Sequence, residues 1–528
     1  MAPQSTDVRP RSTPPAEQFA ARLLDILGPL PMGAAGLRGQ AARGESRMLI
    51  DGELVESSSG VRFRNVNPAT EEVVGEVADG TAEELDRAIA AARRAQDESS
   101  WARDGAFRRH CMEQFVDAMA RNLDELRLAM VTELGCPVRL ATGVQVDPVV
   151  DKVRFMAGLA DGWQEATELP EVSAGPMRTL RQIQRTPIGV VGAITPWNIP
   201  LDIALAKVTG ALAAGNTLVL KPAPDTPWTT ALIGRLFAEE TDIPAGVLNV
   251  VHSSDHALGA RLTADPRVDA ISFTGSTATG RKVMAAAAEG LKRVHLELGG
   301  KSPSVVLDDA NLEQVVPLAA ALGCFNAGQS CILPSRLLVP VGRLNECLEL
   351  AAFGMSSVPV GDPFDENVFM GPLVSVAHRD RVLAALASGL AEGGRVVVGG
   401  GVHPDFDRGY YVQPTLVADA PEHGSLIQEE TFGPIVVVQA YEDLDDAVRV
   451  ANGTPFGLAG YVWSEDEDRA RDVAGRIRAG MIGINGGQFT GGDMPFGGVG
   501  ASGLGREWGV AGLDEFLEIK TIAAARFS

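Results

Sequence analysis

From Arg181 onward the chain is a succession of short apolar runs separated by helix-length segments: Gly189 to Thr195, Thr217 to Leu220, Leu248 to Val251 and Ala270 to Phe273. Runs this short and this continuously apolar suit strands buried on both faces. Connections of helix length between them favour parallel pairing, with helices covering the sheet. A second series follows Glu297, with strands expected at Ser304 to Leu307, Ser335 to Val339, Ile435 to Ala440 and Gly460 to Val462. The alternation restricts the fold to the α/β class, as two sheet-based domains that meet near Glu297. The first series has a nucleotide-binding layout.

Upstream, Met48 begins an apolar run interrupted by Asp51-Gly52, a strong hairpin signal. Thr81 opens a helix through Arg94, with Thr81 and Glu84 spaced as a capping box. Further helices are expected from Gly105 to Leu134 and from Pro148 to Trp163. Residues 1–47 are rich in Ala, Arg, Pro and Gly and read as a flexible extension, in which the amphipathic stretch from Phe19 to Leu27 can dock a single helix.

At 528 residues the chain exceeds one ordinary core, and 45% hydrophobic with 22% charged residues describes a globular protein. A formal charge of −22 argues against nucleic acid as a partner, because phosphate contacts need clustered Lys and Arg. No apolar run reaches a membrane span, and the first residues lack a basic segment followed by an apolar one. A cytoplasmic location is inferred. The 5 cysteines include no CxxC pair, which fits reduced thiols better than a disulfide framework or a zinc cluster. His252 and His256 have metal-like spacing but no evident third ligand, so no metal is expected.

The chemistry is carried by two segments. Phe325-Asn326-Ala327-Gly328-Gln329-Ser330-Cys331 places a cysteine in a small polar loop, where it is either a nucleophile or a buried small hydrophobe. Glu297, ahead of Leu298-Gly299-Gly300, is either a general base or a cap on the turn's amides. Lysine is scarce in this chain, which singles out Lys207, Lys221 and Lys301.

With Thr195-Pro196-Trp197-Asn198-Ile199-Pro200, Leu220-Lys221-Pro222, Phe273-Thr274-Gly275-Ser276, Glu430-Thr431-Phe432-Gly433-Pro434 and Pro495-Phe496-Gly497-Gly498, these segments resemble the aldehyde dehydrogenase superfamily from about Met48 to the C-terminus. The resemblance implies a Rossmann-like cofactor domain (residues 48–165 and 188–296), a catalytic α/β domain (297–513) and a small β oligomerisation arm (166–187 and 514–528). It further implies oxidation of a small-molecule aldehyde by NAD or NADP. Cys331 would form a hemithioacetal and then a thioester. The Asn198 amide and the Cys331 N–H would stabilise the oxyanion, one good donor being worth roughly 3 kcal/mol. Glu297 would activate the hydrolytic water, and Lys207 joins the catalytic set. Cofactor contacts would fall to Thr195, Pro196, Trp197, Lys221, Pro224, Gly275, Ser276, Leu298, Glu430 and Phe432. Gly275-Ser276 opens a helix whose free N–H groups suit a pyrophosphate. Glu430 has the alternative of a solvated charge beside Glu429.

Departures from the family pattern bear on specificity. Pro224 stands where many NAD-preferring members carry a ribose-binding glutamate, and Asp225 offers a substitute carboxylate. Ile199 replaces a usual phenylalanine and Gly500 a common lysine. Asp202, Ile203 and Ala206, with Ser330 and Ile332, suggest a fairly open funnel for a medium-sized aldehyde. Gly498, Gly500 and Gly503 satisfy GxGxxG outside a βαβ context and read as a turn near the active-site mouth. Thr179 to Thr186 and Leu517 to Ala525 resemble strands through which family members exchange sheet edges, implying a homodimer or homotetramer. Alternatives are transfer of the acyl group to coenzyme A, which Glu297 disfavours, a catalytically silent binding protein, and a cysteine hydrolase, for which no histidine lies in a suitable motif.

Overall fold

Strand alternation from residue 190 onward produces two parallel-rich sheets in the computed structural model, which describes residues 15–28, 34–37, 40, 42, 44–164 and 166–527. The first sheet has eight strands, ordered Gly503–Leu504, Arg293–Glu297, Ala270–Thr274, Val190–Thr195, Thr217–Pro222, Leu248–Val250, Met48–Ile50 and Glu53–Val55. Its five central strands are parallel. The chain winds outward on one side from Val190–Thr195, then returns to lay Ala270–Thr274 against the other side. This reversal leaves a crevice at the carboxyl ends of those two strands, the usual ligand position in doubly wound sheets.

The second sheet runs Arg395–Val398, Thr415–Ala418, Ile435–Tyr441, Pro334–Pro340, Ser302–Val306, Ala459–Trp463 and Met481–Ile484. Glu297 ends a strand of the first sheet, and Ser302 begins the second only five residues later. Cys331 stands just before Pro334–Pro340. The strand ends of the first sheet are therefore joined at Glu297 by one very short connection to the start of a strand of the second. A third sheet of Leu517–Phe527, Met177–Pro187 and Thr167–Ala174 is antiparallel and largely exposed.

Most expected strands lie within two residues of their predicted limits, and Asp51-Gly52 turns the hairpin with φ of 55° and 80°. Thr81 and Glu84 form the capping box, and the helix continues to Glu98. The single helix expected from Gly105 to Leu134 is instead two, Gly105–Arg121 and Leu123–Leu134. Asn122 breaks it: its amide donates to the Ala118 carbonyl at 2.8 Å and to Glu240 at 2.8 Å, competing with continued helical bonding.

The N-terminal region also differs from a wholly flexible extension. Helix Ala16–Ile26 buries Phe19, Leu23 and Leu24 in the main core, and the Phe19 ring packs on Phe353 with centroids 5.5 Å apart. Arg139 donates to the Gly28 carbonyl at 3.2 Å, holding the helix's exit. Residues 1–14, 29–33, 38, 39, 41 and 43 lie outside the described part. Because Leu23 is fully buried, Leu23→Ala is expected to cost about 2–5 kcal/mol, read as a lowered denaturation midpoint in urea. An unchanged midpoint would show that this helix adds nothing to the folded core.

Candidate active site

The segment preceding Cys331 cannot stay helical, because three successive residues adopt left-handed backbone: Asn326 at φ 50°, Ala327 at 56° and Gly328 at 76°. For Asn326 and Ala327 this costs about 1–2 kcal/mol each. A Cβ on Gly328 would lie 2.0 Å from the Gly433 carbonyl carbon, so only glycine fits there. Buried amides hold the turn in place. Asn326 Nδ2 donates to the Asn198 carbonyl at 2.9 Å, Gln329 Nε2 donates to the Asn326 carbonyl at 3.0 Å, and Gln329 Oε1 accepts from the Val374 N–H at 2.9 Å. Asn198 Nδ2 donates to the Gln329 carbonyl at 3.0 Å. An amide nitrogen carries two hydrogens, and the second has no protein acceptor among the described residues. Tyr461 fixes the far side by donating to the Ile332 carbonyl at 2.9 Å.

Cys331 emerges half-buried from this turn, while Cys111, Cys136, Cys324 and Cys347 are buried. Desolvation, followed by the carboxylates of Glu430 and Glu297, pushes its thiol well above the usual range. Glu297 is itself only 2% exposed, and neither carboxylate oxygen has a hydrogen-bond partner among the described residues. Burial and then the Glu507 charge raise its carboxyl well above the ordinary value, while Lys207 and Arg506 oppose the rise. Lys207, on helix Pro200–Ala213, is completely buried and pairs with Glu507 at 2.5 Å. Sequence reading missed Glu507, which lies 300 residues further along. The available signal was the lysine itself, since a fully buried ammonium requires a counter-ion.

The cofactor candidates converge on the crevice of the first sheet. Thr195 and Thr274 end the two strands that flank it, and both hydroxyl oxygens are buried without partners among the described residues. Lys221, at the end of the next strand, is 3% exposed, donates to the Ser253 carbonyl at 3.1 Å, and is lowered to about 8 by burial. Pro224 and Asp225 follow it, half-buried, and desolvation raises the Asp225 carboxyl against the pull of His256 and Arg381. Pro196 leads into Trp197, whose ring meets Phe432 edge-on at 5.6 Å and His378 at 4.9 Å. Phe432 takes φ 55°, and its carbonyl accepts from His378 Nε2 at 2.8 Å. Ser276 caps helix Thr277–Ala288 by accepting from the Thr279 N–H, and Leu298 packs beneath that helix at Gly280. These orphaned hydroxyls, the lysine and the helix start fit an extended dinucleotide.

One expectation needs correction. The Gly275 N–H is not free for a pyrophosphate, because it donates to the Glu297 carbonyl at 3.0 Å as the two strands close. The alternative of a solvated Glu430 does not hold: it accepts from the Gly300 N–H at 2.8 Å, and burial raises it to about 7. On the helix expected to line the funnel, Asp202 is paired with Lys152 at 2.6 Å and Ala206 is buried. The Gly498 to Gly503 segment ends as an edge strand against Leu296 and Glu297. No group of three or more His, Cys, Asp or Glu among the described residues is arranged to hold a metal.

A doubly wound sheet whose strand order reverses beside a half-buried thiol and a desolvated carboxylate is the arrangement of a nicotinamide-dependent oxidoreductase with a reactive cysteine. The chain belongs to the aldehyde dehydrogenase family, whose profile matches residues 54–522. It is 41% identical over 478 residues to 3-succinoylsemialdehyde-pyridine dehydrogenase of a Pseudomonas species, covering 90% of this chain and 97% of the relative. It is 38% identical to geranial dehydrogenase of Castellaniella defragrans, covering 90% and 98%. Aldehyde dehydrogenase C of Pseudomonas syringae, solved with NAD+ and octanal, superposes with a TM-score of 0.84 at 38% identity, covering 91% of this chain and 96% of that one. Betaine aldehyde dehydrogenase of Staphylococcus aureus, solved with NAD+, superposes at 0.89 with 33% identity, covering 94% and 97%. The protein is thus an NAD(P)-dependent enzyme that oxidises the aldehyde group.

Removing the Glu430 charge should lower the thiol's pKa. At pH 8.5, where Glu430 is ionised, Glu430→Gln is expected to speed iodoacetamide alkylation of Cys331 roughly 3- to 10-fold, followed by mass spectrometry. An unchanged rate would remove Glu430 from the thiol's electrostatic surroundings.

Proposed function

We propose that Cys331 attacks an uncharged, largely apolar aldehyde and that Glu297 then activates the water that hydrolyses the resulting thioester, releasing the free carboxylic acid. The observation that carries this reading is a thiol packed against the apolar cluster of Leu458, Ala459, Met481 and Phe489, on which Ile332, Tyr461 and Phe496 also pack, and perturbed by charges that include a buried carboxylate with no partner among the described residues. The Asn198 amide hydrogen left over from Gln329, together with the Cys331 N–H, would receive the developing oxyanion. A dinucleotide held by Thr195, Pro196, Trp197, Lys221, Ser276, Leu298, Glu430 and Phe432 supplies the hydride acceptor when bound. NAD is the preferred form, because Asp225 beside Pro224 would oppose a 2′-phosphate. Glu297 keeps the reaction hydrolytic: as a desolvated carboxylate it takes a proton from water readily. Octanal-like and terpenoid aldehydes suit the apolar wall better than dicarboxylic semialdehydes, a reading in keeping with the octanal and geranial of the named relatives.

The cofactor domain then comprises residues 48–165 and 188–296, the catalytic domain 297–513, and the arm 166–187 and 514–528. The arm's outer strand Leu517–Phe527 carries Ile519 at 73% exposure on a long sheet edge, which supports assembly as a homodimer or homotetramer. The absence of any helix long and apolar enough to span a membrane among the described residues is compatible with a cytoplasmic enzyme.

Absorbance of reduced nicotinamide tests the chemistry. With octanal and NAD but no coenzyme A, Cys331→Ala should abolish turnover, and Asn198→Ala should lower kcat about 10²- to 10³-fold. Glu297→Gln should keep a single pre-steady-state burst and lose steady turnover. Full turnover by Cys331→Ala would defeat the reading. For assembly, deletion of residues 518–528 should reduce the mass seen by light scattering, whereas an unchanged mass would place the interface elsewhere.

A further inference from the structure

We propose that His295, set by Ser272 and Lys207, is a positioning residue that presents one N–H to the Glu297 carboxylate and holds that base in place, an inference that rests on the role given to Glu297 above. Strands Ala270–Thr274 and Arg293–Glu297 pair in parallel with Ser272 opposite His295 and Thr274 opposite Glu297. Residues two apart on a strand share a face, so His295 and Glu297 point the same way, with Ser272 beside the imidazole.

The hydrogen bonds determine the tautomer. Lys207 Nζ lies 3.1 Å from Ser272 Oγ, and an ammonium can only donate, so the serine oxygen accepts from it. Among the described residues the serine's own hydrogen has one remaining destination, His295 Nδ1 at 3.0 Å. Nδ1 is therefore the acceptor, and the imidazole carries its hydrogen on Nε2. That atom has no hydrogen-bond partner among the described residues and lies 3.4 Å from Glu297 Oε1, long and misaligned for a bond yet its nearest carboxylate. The ring's other edge is confined: a Cβ on Gly505, which has φ 88°, would lie 2.4 Å from His295 Cδ2. Desolvation, with Lys207 and Arg506 adding to it, holds His295 well below its ordinary value, so the ring stays neutral.

The chain Lys207–Ser272–His295 thus ends in a single donor 3.4 Å from a carboxylate that has no hydrogen-bond donor among the described residues. Since neither oxygen of Glu297 is anchored, its orientation toward the thioester depends on that donor. The side-chain amide of glutamine places an N–H the same number of bonds from Cβ as imidazole Nε2, which gives a conservative substitute.

The test measures the reduced-nicotinamide burst and steady-state kcat for His295→Leu, His295→Gln, Ser272→Ala and Glu297→Gln, with thermal midpoints alongside. His295→Leu should lower kcat roughly 10- to 100-fold while the burst is retained, and His295→Gln should recover most of the loss. Ser272→Ala, which frees the imidazole to take its other tautomer, should also slow steady turnover and spare the burst. If His295→Leu and Ser272→Ala turn over like the unaltered enzyme while Glu297→Gln stalls after its burst, the positioning role is overturned and the base remains. Equal losses in the leucine and glutamine variants, together with a lowered thermal midpoint, would make the ring merely structural and overturn the proposal as well. Should the leucine variant not fold, Ser272→Ala decides: a normal kcat overturns it. Turnover that survives Glu297→Gln would instead remove the underlying reading of the base.

Discussion

Lys207 is the charge on which the buried centre depends. An ammonium with no solvent exposure is tolerable only if it is paired and hydrogen-bonded, and Glu507 and Ser272 take two of its three N–H groups. Its positive charge opposes the upward shift of both Glu297 and Glu507, so it limits how far burial can drive those carboxyls toward the neutral form. Removing one partner of a buried pair typically costs about 3–5 kcal/mol, because the other charge is left uncompensated. The pair also ties together distant parts of the chain. Lys207 comes from the helix that follows Asn198, and Glu507 is bonded through its backbone to Phe496, beside Gly497, where an added Cβ would lie 2.6 Å from Glu297 Oε1.

A second constraint is the left-handed turn at Asn326, Ala327 and Gly328. Its unfavourable backbone is sustained by a closed set of buried amide bonds among Asn198, Asn326 and Gln329. The same bonds place the Asn198 side chain against the segment carrying Cys331. Strain at the thiol and placement of the amide therefore have one cause, and the loop cannot relax without displacing both.

The parallel strands were legible in the sequence because each is a short, continuously apolar run bounded by helix-length segments. The break at Asn122 was not, because its cause is a side-chain bond to Glu240, 118 residues away. Nor was the N-terminal helix's full engagement, although the amphipathic stretch from Phe19 to Leu27 gave its position. Cys331, Glu297 and Asn198 stood out through their motifs. Glu507 and Ser272 did not, since a single acidic or hydroxyl residue carries no local mark. His295 lay in plain view two residues before Glu297 in a strand, where the period of two puts both side chains on one face. Its meaning depended on which strand lay alongside, and register between strands is not written in either one.

The three unpartnered sites at the crevice follow from this geometry. Thr195, Thr274 and Glu297 each end a strand of the first sheet, and their side-chain oxygens are buried with no partner among the described residues. Buried polar atoms are normally paired, and a fold that leaves several unpaired at one place bears a cost of about 1–3 kcal/mol for each. On the binding proposed above, a polar ligand in the crevice would recover that cost, so part of the binding free energy would come from relieving unpaired groups at these strand ends.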